Sequence, residues 1–229
     1  SEMAIYPKYS RNRIQNAGKR IKGGTQTDED WEVLQNWRNS HSYVLTMFRI
    51  TLERNRPKKS GKSILLVQRL KRKKTIIDKL KSGRASDLAT MHDMAGCRLI
   101  FSSMQILQAY RRKLHKASFK HEKIKNDKYD YITNPKETGY RGIHDVYKYC
   151  SESKKGSRFN GLQIEVQFRT LVQHAWATAV EISDLLNKTR VKFDQGKDPL
   201  RERFFVLASE YLARAHEQMK GVAHEIEDE

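Results

Sequence analysis

Cysteine is nearly absent from this 229-residue chain, with Cys97 and Cys150 the only two. Both lie inside apolar patterns and lack metal-ligand spacing, so buried, reduced thiols in a cytoplasmic protein are expected. No apolar run approaches the roughly 18 residues of a membrane span, and no signal-peptide pattern stands out. The familiar nucleotide and hydrolase signatures are missing too. There is no Walker A sequence, no GxGxxG, no HExxH, no GxSxG and no Cys/His cluster with zinc spacing. Internal repeats and low-complexity tracts are also lacking. Any chemistry must therefore come from dispersed polar residues. Negative charge is in short supply, since Lys+Arg number 45 against Asp+Glu 27, a net charge of +18. Such an excess attracts polyanions (nucleotides, RNA or an acidic protein partner), with a merely soluble basic surface as the plain alternative.

The chain is long enough to bury one core, with room for a helical extension. Residues 1–26 form a polar, basic segment that closes on Gly23-Gly24. From Thr27 to Asn55 the spacing of Trp31, Leu34, Trp37, Val44, Met47 and Phe48 predicts a long helix. Thr27 or Asp28 is its N-cap, with acids in the first turn. "RPKKSGKS" ends that helix, and "LLVQRLKRKKTIIDKLKSG" passes from a strand or loop into a basic helix stopped by Gly83. "MHDMAGCRLIF" ends in a short strand, and "SSMQILQAYRRKLHKA" is an amphipathic helix with a Ser cap. A charged strand, a turn-rich loop, a further strand and a hairpin-like loop lead into "GLQIEVQFRT". Two helices finish the chain, from about Leu171 to Leu186 and from about Pro199 to His224. Helices bracketing three to five strands predict an α+β fold with a mixed β-sheet flanked by helices.

Four stretches hold candidate chemistry. In "QRLKRKKTIIDKL", Arg69, Lys71, Thr75 and Lys79 gather cations near a helix start, with Thr75 and Lys79 on one face. That arrangement suits a polyphosphate, and equally describes a solvated basic helix. In "HDMAGCRLI", Asp93 is either a turn residue or, given a second carboxylate such as Glu165, a magnesium ligand. In "ETGYRGIHD", Gly139 and Gly142 flank Tyr140 and Arg141, and Tyr140 is either a plain loop tyrosine or a stacking platform for a base. His144 either touches phosphate or caps the following strand. In the last stretch, strict alternation puts Gln163, Glu165, Gln167 and Arg169 on one strand face, either solvated or the floor of a site. Beyond it, Trp176 and Val180 form a packing stripe, and Glu181 is equally a site residue or solvated.

Taken in order, these four stretches resemble the synthetase domain of the RelA/SpoT family of alarmone (p)ppGpp synthetases. Arg69, Lys71, Thr75 and Lys79 fill the first motif, and Asp93, Gly96 and Arg98 fill D-x-x-G-x-R. Gly139, Tyr140, Arg141 and His144 match the acceptor loop. Glu165, Val166, Gln167, Arg169 and Thr170 match E-V-Q-x-R-T, followed by Trp176-Ala177. The resemblance implies a nucleotidyltransferase-like synthetase fold with N- and C-terminal helices, of the small stand-alone kind. It also implies transfer of the β,γ-pyrophosphate of ATP to the 3′-hydroxyl of GDP or GTP, dependent on Mg²⁺. Under it, Arg69, Lys71, Thr75, Lys79 and Arg98 bind ATP, and Asp93 and Glu165 are catalytic and hold the metal. Lys136, Tyr140, Arg141, His144, Gln167 and His174 bind the acceptor.

Three departures stand out: Thr75 for Ser, Gly142 for the loop Ser, and His174 where small members often have Asn. The last two touch acceptor choice. The alternative acceptors are an adenosine nucleotide or the 3′ end of tRNA, the latter in a toxin with an antitoxin protein as partner. A catalytically inactive RNA-binding or regulatory module on the same scaffold is the third reading. The expected layout is a basic segment at 1–26, the synthetase domain at 27–190 and a helical extension at 191–229. Phe204, Phe205, Leu207, Tyr211 and Leu212 give that extension enough apolar surface for a homo-oligomer.

Overall fold

Five strands form one mixed sheet in the order β1-β2-β5-β4-β3. They run β1 Ile64–Leu70, β2 Ala95–Phe101, β3 Glu122–Ile124, β4 Ile143–Lys148 and β5 Gln163–Thr170. Among the described residues six α-helices accompany them: α1 Arg11–Gly23, α2 Asp28–Arg54, α3 Lys73–Lys81, α4 Met104–Lys116, α5 Leu171–Val191 and α6 Pro199–Leu212. This computed structural model describes residues 3–56, 64–117, 119–191, 198–219 and 221. β2 and β5 are parallel, while the β1–β2, β4–β5 and β3–β4 pairs are antiparallel. The class is the expected α+β.

Alternation gives the sheet two unlike faces. Cys97, Leu99, Phe101, Ile164, Val166 and Phe168 point to one face and are buried there. Val44, Leu45, Phe48 and Leu52 of α2 join Leu107, Tyr110 and Leu114 of α4 over that face to form the main core. Each such side chain contributes about 1.5–3 kcal/mol by leaving water. The opposite face carries Arg98, His144, Glu165, Gln167 and Arg169, and it holds the candidate site. A one-residue slip of β5 would turn Glu165, Gln167 and Arg169 into the core and expose its apolar set, so the core fixes the register of the site.

α2 starts at Thr27, whose hydroxyl accepts from Asp30 N–H while the Asp30 carboxylate accepts from Thr27 N–H. Asp30 is fully buried and also receives Arg13 Nη1 at 2.7 Å and Arg20 Nε at 2.8 Å. Those two arginines belong to α1, a helix within the stretch expected as a polar, basic segment. Its Ile14, Ala17 and Ile21 make a second core with Val33 and Leu34 of α2 and Ile76 and Leu80 of α3. Basic composition hid the helix, because its apolar stripe is short.

Two other expectations change. Cys97 is buried, and burial pushes its thiol up to about 12. Cys150 is exposed, because β4 ends at Lys148 and the chain leaves the sheet before the cysteine. At the other end, α6 stops at Leu212 and passes into a single π-helical turn, Ala213–Glu217, while His224 lies outside the described residues. Most of the basic run after α2, residues 57–63, also lies outside them. Among the described residues no helix is long and apolar enough to cross a membrane.

Candidate active site

Glu165 sits mid-sheet, in register with Gly96 of β2 on one side and Val146 of β4 on the other. Gly96 in turn pairs with Arg69 of β1, so the strip between Arg69 and Glu165 has a floor without a side chain. One step along, Arg98, Gln167 and His144 line up across three strands, and Arg98 Nε donates to Gln167 Oε1 at 3.0 Å. Gln167 Nε2 donates to Glu165 Oε1 at 2.6 Å. His92 Nε2 lies 3.3 Å from Glu165 Oε2, and His144 Nδ1 lies 3.6 Å from Oε1. Burial alone pushes the Glu165 carboxyl up. The His92 hydrogen bond, the His144 charge and the Gln167 amide outweigh burial, and the group sits at about 2.

On the β1 side a second carboxylate is held by lysines. Lys71 Nζ at 2.9 Å and Lys79 Nζ at 2.7 Å meet the same oxygen, Asp93 Oδ2. α3 begins at Lys73, so Thr75 and Lys79 share a face one turn apart, as the spacing predicts. Lys71 is 3% exposed, and its backbone is fixed by its own N–H to Met94 O and by Arg38 Nε to its carbonyl. Burial pushes Lys71 down, and pushes Asp93 up until the two ammoniums outweigh it and bring Asp93 to about 2. The solvated-helix alternative for this stretch does not describe Lys71, which is buried against a carboxylate.

Another buried acid, Asp145, lies on the opposite sheet face. It receives Arg111 Nε at 2.9 Å and His115 Nε2 at 2.9 Å, and it too sits at about 2. Asp93, Asp145 and Glu165 all have folded values below their ordinary ones, so the unfolded chain binds more protons between about 2 and 4.5. Their stabilisation is fully present above about pH 5 and is lost as pH falls towards 2. The melting temperature should accordingly drop steeply below about pH 5; a Tm that stays level to pH 3 would contradict these pairings.

Beyond His144 the sheet face opens into a cavity of about 840 Å³. Its walls include Arg98, Lys136, Tyr140, His144, Gln167 and Arg169 from the sheet side, Trp176, Val180 and Glu181 from α5, and Arg201, Glu202 and Phe205 from α6. Tyr140 Oη lies 2.6 Å from His144 Nε2, and Lys136 Nζ stands 4.4 Å from the Tyr131 ring and 5.4 Å from the Tyr140 ring. A Cβ at Gly142 would approach Tyr140 Oη to 2.9 Å, so the glycine that replaces the family's Ser gives this tyrosine room to bend back on His144. Burial lowers His144 and works against the charge of Arg98 and Arg169. Arg169 is 3% exposed, and its Nε has no hydrogen-bond partner among the described residues.

The structure brings most of the expected residues onto one face, but in two groups. Arg69, Lys71, Thr75, Lys79 and Asp93 lie on the β1 and α3 side. Lys136, Tyr140, His144, Gln167 and Arg98 line the cavity, with Glu165 between the groups. Arg141 departs from its expected place, being buried and turned away from the cavity into an ion pair with Glu217. His174 is not among the cavity's lining residues. It lies within electrostatic reach of Arg169 and Arg98, and its Nδ1 is buried without a partner among the described residues. Sequence reasoning missed His92, although it directly precedes Asp93. It also did not assign Arg169 a role, although Arg169 is four residues from Glu165 and therefore on its face.

The fold is that of the small alarmone synthetases. Small alarmone synthetase 1 from Bacillus subtilis superposes with a TM-score of 0.62 at 23% identity, covering 83% of this chain and 94% of that one. Its form bound to pppGpp gives 0.62 at 22%, over 83% and 95%. Its form bound to AMPCPP gives 0.58 at 20%, over 84% and 95%. At the sequence level, the family described as "Region found in RelA / SpoT proteins" matches residues 68–189, more than half the chain. The protein belongs to the RelA/SpoT family. A curated relative, GTP pyrophosphokinase YjbM of Bacillus subtilis (strain 168), is 30% identical over 149 residues. That match spans 65% of this chain and 65% of the relative's length.

Proposed function

We propose that the protein transfers the β,γ-pyrophosphate of ATP to the 3′-hydroxyl of GDP or GTP, making (p)ppGpp. One observation carries this reading: Glu165, held by His92, His144 and Gln167, lies between a cation-rich strip that ends on Asp93 and an aromatic-walled basic cavity. Family membership supports it, as do the name of the YjbM relative and the pppGpp and AMPCPP complexes of the fold neighbours.

In this reading Arg69, Lys71, Lys79 and Arg98 neutralise the ATP phosphates while Thr75 offers a hydroxyl. The acceptor enters the cavity, where Tyr140 stacks on its base and Lys136, His144 and Gln167 orient it, with His174 at the margin. A bond forms between the acceptor 3′-oxygen and the β-phosphorus, the bond from that phosphorus to the α,β-bridging oxygen breaks, and AMP leaves. Glu165 accepts the hydroxyl proton. At about 2 it is a weak base but an always available acceptor, so its contribution is chiefly orientation and charge.

Asp93 and Glu165 fit a magnesium ion, which is commonly held by one or two carboxylates together with substrate phosphates. Among the described residues no group of three or more His, Cys, Asp or Glu gathers as a self-sufficient metal site, so the phosphates would complete the shell. When bound, Mg²⁺ would draw charge from the pyrophosphoryl oxygens.

Incubation of the protein and Mg²⁺ with γ-labelled ATP and, separately, GDP, GTP, ADP and bulk tRNA tests the reading. Label should enter the guanosine nucleotides. Label in tRNA alone would replace the acceptor, and no transfer to any of the four would remove the activity. Tyr140→Ala should raise the acceptor KM about 10-fold or more, in line with ~1–3 kcal/mol for stacking one base, with the ATP KM unchanged. An unchanged acceptor KM would refute stacking.

The catalytic unit in this proposal is residues 27–190, preceded by the basic segment and followed by the extension. Phe204, Leu207 and Tyr211 on α6 and Ile182 and Leu186 on α5 remain exposed, which supports a homo-oligomer through these helices. Phe205 instead turns inward, edge-on to Trp176. The substrates and reduced thiols suit the cytoplasm.

A further inference from the structure

The π-helical turn after α6 ends in Glu217, which lies outside the region that matches the family. Its side chain is 4% exposed and faces three separate elements. Arg141 Nη1 pairs with its Oε2, Thr170 Oγ1 donates to Oε1 at 2.5 Å, and Gln173 Nε2 lies 3.1 Å from Oε2. Arg141 directly follows Tyr140, Thr170 closes the strand that carries Glu165 and Gln167, and Gln173 precedes His174. One carboxylate therefore ties together the three segments that present the acceptor side of the site.

A second clasp lies a few residues upstream. Ser209 Oγ donates to Gly139 O at 2.5 Å, and Trp176 Nε1 donates to Phe205 O at 2.8 Å. Gly139 has φ +90°, and a Cβ there would stand 2.9 Å from Ser209 Cβ, so the loop backbone lies directly against α6. The loop is held from behind at residues 139 and 141 while Tyr140, between them, faces the cavity.

We propose that Glu217 is a positioning residue for the acceptor: through Arg141 and Thr170 it fixes the loop that presents Tyr140 and the end of the strand that presents Gln167. The inference rests on reading that cavity as the acceptor pocket. A buried guanidinium that loses its carboxylate must find water or another partner, so Arg141 and the loop that carries it should shift. Glu217 thus acts on acceptor placement without itself lining the cavity.

Glu217→Gln keeps the shape and removes the charge. It should raise the acceptor KM about 10-fold while the ATP KM stays put, as loss of acceptor alignment requires. Amide exchange across residues 137–142 should quicken by a similar factor while that of β2 does not change. Equal rises in both KM values, or unchanged KM values with unchanged exchange, would overturn the proposal. Should Glu217→Gln fail to fold, Ser209→Ala removes the Oγ bonds to Gly139 O and Gly221 O and leaves the Glu217 carboxylate in place; it should show the same split at smaller size, and an unsplit effect there also overturns the proposal. A wild-type protein that transfers to no acceptor would defeat the reading of the reaction, and the exchange measurement would still decide whether Glu217 holds the loop.

Discussion

Glu165→Gln should reduce pyrophosphate transfer by about 10³-fold or more, the scale of a positioned acid–base group combined with lost site charge. The substitution changes one atom type and almost no volume. Its new amide can still accept from Gln167 Nε2 through the remaining oxygen, and Ile164 and Val166 on either side keep their places in the core. The fold should therefore survive, with a far-ultraviolet spectrum like that of the parent. What disappears is a charge the site has arranged to keep at every physiological pH, since His92, His144 and Gln167 together hold this carboxyl at about 2 despite its burial. Single-turnover transfer from labelled ATP to GDP, at saturating concentrations of both, is the measurement. A rate within about tenfold of wild type would take Glu165 out of the chemistry.

The strand that holds Glu165 also shows how far sequence alone reaches. Alternation is a local property, so the two faces of β5 are legible from eight residues. Which face is solvated depends on what packs over it, and that is set by α5, α6 and the loop before β4, all distant in sequence. The same limit explains Lys71. Its spacing to Thr75 and Lys79 is visible, but the groups that fix its backbone, Met94 O and Arg38 Nε, and the carboxylate that meets its ammonium, Asp93, come from elsewhere in the chain. Arg141 shows the opposite error. The loop motif placed it beside Tyr140, yet adjacent residues in an extended loop point to opposite sides, and its carboxylate partner is 76 positions away. α1 was illegible for a compositional reason: three apolar residues on one stripe carry a weak signal among so many charges, and the buried acid that fixes them, Asp30, lies on α2. The family resemblance pointed to residues that the fold brings onto the face of the candidate site. It could not supply the α6 wall or Glu217, which lie beyond residue 189.

Asp93→Asn should affect stability as well as turnover. Two ammoniums converge on one oxygen of this carboxylate, and the Lys71 side chain is only 4% exposed. Removing the negative charge leaves two cations facing each other with no counter-charge. Breaking a fully buried pair costs about 3–5 kcal/mol. Asp93 and Lys79 keep side-chain exposures of 17% and 25%, so water recovers part of that, leaving about 2–3 kcal/mol. For a chain of this size the melting temperature should fall by about 5–10 °C. Transfer should fall by about 10²–10³-fold, because the same change removes a proposed metal ligand and lets the lysines move from the phosphate positions. The stability effect can be isolated. Adding Lys71→Met to Asp93→Asn removes the stranded buried cation, and should restore much of the lost melting temperature without restoring transfer. If the double variant recovers both, the role of Asp93 is to hold lysines rather than to serve the reaction. If it recovers neither, the Lys71–Asp93 pair is not the source of the strain.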